Sequence, residues 1–171
     1  MNLVRQAEEF ARQEHYYLRY DIHPFVKHLE DVITVMRRFN QTDSNLLAAA
    51  WLHDIVEDTG VSIGIVRDKF GRQIAELVDA LTDGKEGNRK QRKERPYKLI
   101  PQVPGAIIVK LADRIANVEY CFNTKSPLLQ MYKREYDDEY SGFRTNLYKE
   151  EEAVEMWAFL DQLMIQSMFI K

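Results

Sequence analysis

In the stretch LAAAWLHDIVEDT, one imidazole and three carboxylates fall within six positions of an otherwise apolar run: His53, Asp54, Glu57 and Asp58. The neighbours Leu46, Leu47, Trp51, Leu52, Ile55 and Val56, with three alanines between them, predict a buried helix. Burying so many ionisable groups costs free energy unless something compensates, and a divalent cation is the simplest compensation. Adjacent helical residues lie about 100° apart and the fourth neighbour returns to within about 40°, so the four share an arc about 140° wide and can face one cavity. Two adjacent ligands from one helix cannot complete a coordination sphere, so further His or Asp ligands must come from helices packed against it. The chain has four histidines, His15, His23, His28 and His53, of which His28 opens an amphipathic helix directly ahead of the motif. Asp113 interrupts an apolar run, Ile107-Ile108-Val109 and Leu111-Ala112, as Asp54 interrupts its own. Asp113 is thus either a further ligand or a salt-bridge partner of Lys110 or Arg114.

The elements that must position these groups read as helices, with no convincing strand. Apolar residues recur at spacings of three and four over 2–15 and again from His28 to Phe39. Asp43 or Ser44 caps the motif helix, which is predicted to run unbroken to Asp58 and stop at Thr59-Gly60. Ser62 caps a short helix ending at Phe70-Gly71, and residues 72–82 form another. After a polar loop, Asp83 to Asn88, a very basic helix leads from Arg89 to the break at Pro101 and Pro104. Residues 105–122 predict a second buried helix, and two long amphipathic helices near 127–140 and 147–168 close the chain. The expectation is one all-α domain, residues 1–171, a bundle of about seven to nine helices.

Composition bounds the function. A hydrophobic fraction of 45% and a charged fraction of 30% are those of an ordinary globule, and 171 residues suffice for a core without disulfides. The net charge of −3 argues against general affinity for nucleic acid or anionic membranes. The single cysteine, Cys121, provides no disulfide framework, no apolar run reaches the length of a membrane span, and the N-terminal MNLVRQAEEFARQEH is acidic-amphipathic, without a signal-peptide pattern. A cytoplasmic protein is expected; oligomeric state is not legible.

The ordered set His28, His53-Asp54, Asp113 resembles the H…HD…D pattern of HD-domain metal-dependent phosphohydrolases. LLAAAWLHDIVEDTGVSIGIVRDKFGRQIAELVDALTD is similar to the corresponding stretch of RelA/SpoT-type alarmone hydrolase domains, which carry HDxxED and a following helix ending in FG. KLADRIAN, residues 110–117, is similar to their KLADRxxN. The likeness covers roughly residues 5–165 and is closest to a stand-alone small alarmone hydrolase, with no room for the synthetase domain of the long members.

The resemblance implies that His28, His53, Asp54 and Asp113 hold the metal, and that Glu57 and Asp58 orient or deprotonate the attacking water. It also implies that Arg19 stacks on a guanine and that Asn117 lies near the nucleoside. Mixed imidazole and carboxylate ligands suit Mn²⁺ first, with Fe²⁺ or Zn²⁺ as alternatives. The implied reaction removes the 3′-pyrophosphate from ppGpp, giving GDP and pyrophosphate, so cations should line the entrance. The basic segment Arg89 to Arg95, which includes Lys93, could supply them together with Lys98; Arg89, Lys90 and Arg92 at its head are the foremost candidates. Tyr20, Ala116 and Glu119 depart from the family pattern, where lysine, histidine and arginine are common, and leave the nucleotide open. NADPH 2′-phosphatase and deoxynucleotide monophosphatase activities are the enzymatic alternatives; a nucleotide-sensing module without turnover is the other.

Overall fold

Why the chain folds into helices is visible at their starts. In this computed structural model, which describes residues 2–136 and 151–168, Asn2 caps α1 (Leu3–Glu14) by accepting from the Val4 amide at 3.0 Å. A tight hairpin of two-residue strands follows, β1 (Arg19–Tyr20) against β2 (His23–Pro24), with Asp21 in the left-handed region at φ 53°. The sequence predicts no strand here; the hairpin is too short to show a period of two. α2 (Val26–Arg38) starts two residues ahead of the predicted His28 and buries Leu29, Val32, Ile33, Val35 and Met36.

Asp43 caps α3 (Ser44–Leu52) through the amides of Asn45 and Leu46, and Ala48 to Leu52 are all buried. The motif helix does not run through to Asp58 as predicted. It breaks at His53-Asp54 and resumes as the single turn α4 (Ile55–Asp58). The cause is local: Nδ1 of His53 bonds the Ala50 carbonyl at 2.8 Å, beside the position where an Asp54 amide would otherwise continue the ladder. Asp54 sits at φ −97°, ψ −2°, and its own carbonyl receives the Glu57 and Asp58 amides.

α5 (Ile63–Phe70) and α6 (Arg72–Leu81) meet at Gly71, whose φ of 88° allows the reversal between them. Asn88 and Gln91 form a capping box for α7 (Arg89–Leu99), which passes through a 3₁₀ turn (Ile100–Gln102) into α8 (Ala106–Thr124). Gly105 begins α8 at φ 80°, and a β-carbon there would lie 2.5 Å from Leu46 Cδ2. Leu46 would have to shift to admit a side chain there, and the positive φ itself favours glycine. α9 occupies 128–136 and α10 is Glu151–Met168; the remainder of the predicted helices at 127–140 and 147–168 lies outside the described residues.

α3 is the hub, packing on α1, α2, α6 and α8, while α8 also packs on α2 and α10. The all-α class expected from sequence is what the structure shows. No described helix is long and apolar enough to cross a membrane.

Candidate functional site

Three elements converge at the C-terminal end of α3. α2 brings His28, the α3–α4 break brings His53 and Asp54, and the middle of α8 brings Asp113. One ligand atom from each of His28, His53 and Asp113 lies within 4.8 Å of the others. The Asp113 carboxylate is 3.4 Å from His28 Nε2 and 3.8 Å from His53 Nε2; that of Asp54 is 3.6 and 3.0 Å from the same two nitrogens. The Ala50 carbonyl can only accept, so His53 carries a proton on Nδ1 and turns Nε2 toward the carboxylates. That buried Nε2 has no hydrogen-bond partner among the described residues, its 3.0 Å approach to Asp54 being poorly angled.

Without an ion the four groups must pair with one another. Burial disfavours a charged His28, but Asp113 and Asp54 outweigh it and push its pKa up to about 9. Burial would likewise raise Asp54, yet His53 and His28 hold it well below the ordinary carboxylate range. Two imidazoles, one oriented by its Nδ1 bond to the Ala50 carbonyl with a buried Nε2 that lacks a hydrogen-bond partner, and two converging carboxylates are a donor set that fits a divalent cation.

Further residues fix this set. Tyr20 stacks on His28 at 4.9 Å between ring centroids, and its hydroxyl donates to Asn117 Oδ1 at 2.6 Å. Asn117 Nδ2 in turn donates to the Asp113 carboxylate. Asn117, expected near a nucleoside, is therefore engaged in orienting Asp113. The Lys110–Asp113 salt bridge foreseen as an alternative to ligation is also present, at 3.1 Å, using the other carboxylate oxygen.

The cluster opens into a recess of about 190 Å³ lined by Asp54, Glu57, Asp58, Asp113 and cationic side chains. Glu57 and Asp58 stand at its mouth. Lost hydration in the recess, then repulsion from Asp54, pushes Glu57 up to about 7, although the Asp83 amide donates to Glu57 Oε1 at 2.6 Å and pulls the other way. The same two causes push Asp58 up to about 6. In the ion-free site both carboxyls thus hold a proton more readily than exposed ones do.

Of the basic residues singled out from sequence, Arg89 lines the recess, where the buried Glu135 of α9 ion-pairs with it. Lys90 and Arg92 do not line it. Lys93, within the basic segment singled out from sequence, does line it, and so does Lys110, which sequence reasoning missed as a site residue. Arg19 lines a separate, larger cavity of about 760 Å³ with Arg12, His15, Tyr16, Tyr17 and His23. Glu119, one of the departures from the family pattern, pairs with Arg38 at 2.8 Å and does not line the recess.

Comparison with known proteins agrees with this picture. The HD domain family pattern matches residues 7–147. The mouse (Mus musculus) guanosine-3′,5′-bis(diphosphate) 3′-pyrophosphohydrolase MESH1 is 35% identical over 118 residues, 66% of this chain and 66% of the mouse protein. A guanosine-3′,5′-bis(diphosphate) 3′-pyrophosphohydrolase of Aquifex aeolicus is 28% identical over 163 residues, 91% of this chain but 23% of that protein. A solved structure described as a metazoan ortholog of SpoT that hydrolyzes ppGpp superposes with a TM-score of 0.72 at 25% identity, covering 92% of this chain and 95% of that one. The chain belongs to the HD domain family.

Proposed function

We propose that this chain is a metal-dependent guanosine-3′,5′-bis(diphosphate) 3′-pyrophosphohydrolase. The observation that carries the reading is one recess lined by His28, Asp54 and Asp113, with His53 buried beside them, together with a raised carboxyl pair and a group of cations. It is supported by relatives named for that activity on both sides of the comparison.

In this reading His28, His53, Asp54 and Asp113 hold one divalent ion, with Mn²⁺ the best match to mixed imidazole and carboxylate donors. Such an ion supplies Lewis-acid polarisation of a phosphoryl oxygen and of water. Glu57 takes the proton of the attacking water, and Asp58 helps orient that water. Attack at the 3′-phosphorus breaks the bond to the ribose 3′-oxygen, which leaves with a proton as GDP; pyrophosphate is the other product. Arg89 offsets charge on the phosphates.

The test is a manganese-supplemented assay against ppGpp, pppGpp, NADPH and deoxynucleotide monophosphates, scored for pyrophosphate and orthophosphate separately. Pyrophosphate from ppGpp is the expected result. Orthophosphate from NADPH or a monophosphate, with ppGpp untouched, would replace this reading with one of the phosphatase alternatives.

A further inference from the structure

Lys93 is a lysine where the fold has no packing reason for one. It is 5% exposed, and with Pro96 it forms the buried side of α7, a helix whose other basic residues are exposed or half-buried. A lysine is almost never so deeply buried unless paired, because its ammonium must be compensated for lost hydration. Here the pairing is incomplete. Its one ion-pair partner among the described residues is Asp83, at 3.6 Å, too far for the hydrogen bonds of about 2.7–2.9 Å that such a pair prefers. The ammonium lines the recess that holds the metal-type cluster. Burial, then the neighbouring Lys110, lowers its pKa to about 8, so the site strains to keep the charge and gains by receiving an anion.

Arg89 lies one helical turn before Lys93 and lines the same recess, its guanidinium anchored by Glu135, which also binds Arg114 at 2.8 Å. The recess is about 190 Å³, below the roughly 300–1,000 Å³ of sites that enclose a drug-sized molecule. It suits phosphate groups and leaves a nucleoside outside. One phosphate beside the His28–Asp113 cluster would leave the Lys93 and Arg89 donors unused; a second, bonded to it, would meet them.

We propose that Lys93, with Arg89, seats the second phosphate of the 3′-diphosphate and makes this site prefer a diphosphate over a monophosphate. The assignment rests on the proposed function for the identity of the substrate, but the binding preference is measurable without turnover. Manganese-loaded protein is titrated by calorimetry with inorganic pyrophosphate and with orthophosphate, as wild type, Lys93→Met and Lys93→Arg. Lys93→Met should weaken pyrophosphate binding about tenfold or more, the scale of one lost charge-assisted hydrogen bond. Orthophosphate binding should change less than about threefold, and Lys93→Arg should recover part of the loss. Unchanged pyrophosphate affinity, or equal losses for both anions, overturns the proposal.

A second measurement uses only the wild-type chain. Pyrophosphate, and not orthophosphate, should shield Lys93 from acetylation by acetic anhydride, read by mass spectrometry; equal labelling in all three conditions overturns the assignment. The two readings fail separately. Lys93-dependent pyrophosphate binding in a protein that leaves ppGpp intact removes the proposed activity alone. ppGpp cleavage with undiminished preference over guanosine 5′-diphosphate 3′-monophosphate in Lys93→Met removes the role of Lys93 alone.

Discussion

Replacing Glu135 by glutamine should cost this protein about 3 kcal/mol at neutral pH. The carboxylate is buried, its side chain 8% exposed, between Arg114, 5% exposed, and Arg89, 43% exposed. Burial alone would raise its pKa, but the two guanidiniums overcome that and lower it from an ordinary 4.5 to about 2. At about 1.4 kcal/mol per pKa unit the depression corresponds to about 3 kcal/mol. Solvent screens the Arg89 arm, so most of this resides in the Arg114 arm, where glutamine removes the charge that faces a buried guanidinium. The sign follows from the direction of the shift. An acid whose pKa is depressed by folding contributes its full stability above the unfolded value of 4.5 and loses it as pH falls toward about 2. Urea unfolding of wild type and Glu135→Gln should therefore show a gap of about 3 kcal/mol at pH 7, shrinking to less than half by about pH 3. In thermal unfolding the pH 7 gap is about 6–12 °C for a chain of this size. A gap below about 1 kcal/mol at pH 7, or one that stays constant with pH, would refute the ion-pair account of this junction between α7, α8 and α9.

Asp54→Ala should abolish turnover together with manganese binding by calorimetry; full activity would remove the metal-centred reading. Glu57→Gln should retain the ion but slow turnover by roughly 10²-fold or more, the scale of a lost general base. In wild type kcat/KM should climb with pH along an acid limb at or below about 7, since a bound cation draws the Glu57 carboxyl down from its ion-free value, and that limb should vanish in Glu57→Gln. Arg19→Ala should raise KM for ppGpp several-fold with kcat little changed, and an unaltered KM would detach the larger cavity from nucleotide binding.

Much of the site was legible because its residues violate local expectation. His53, Asp54 and Asp113 stand in apolar runs, and His28 opens a helix whose next turns are core. What periodicity could not supply was the break in the motif helix. The residues either side of His53-Asp54 are good helix formers, and the interruption comes from the His53 ring competing for the Ala50 carbonyl. A continuous helix would have put the four groups on one arc; the break lets His53 and Asp54 meet His28 and Asp113 while Glu57 and Asp58 are carried to the rim. The hairpin at 19–24 was invisible for a different reason, two residues per strand being too few for a pattern. Which cation of the basic segment faces the site was not legible either. In the run RKQRKER every position looks solvent-facing, and only the packing of α7 decides which cation turns inward.

On the proposed reading, reaction and substrate identity are housed in different parts of the fold. The cluster, the acid pair and the α7 cations surround a recess of about 190 Å³, built on α2, α3, α4, α7 and α8. Arg19 and the exposed Tyr16 and Tyr17 line the cavity of about 760 Å³ along α1, the hairpin and α2, a size that can enclose a nucleoside. Tyr20 and Phe25 line the recess, while Arg19 and Pro24, their neighbours in the chain, line the cavity, so the hairpin region serves both. Its inward side is constrained by the Tyr20–Asn117–Asp113 hydrogen bonds and the Tyr20–His28 stack; its outward side, with Ile22 80% exposed, is tied by Tyr120 donating to Asp21 at 2.8 Å, a bond that does not touch the cluster. Substitutions on the outward side can therefore change which nucleoside is held while the phosphate chemistry stays intact. Substitution of Tyr20 would disturb the cluster itself.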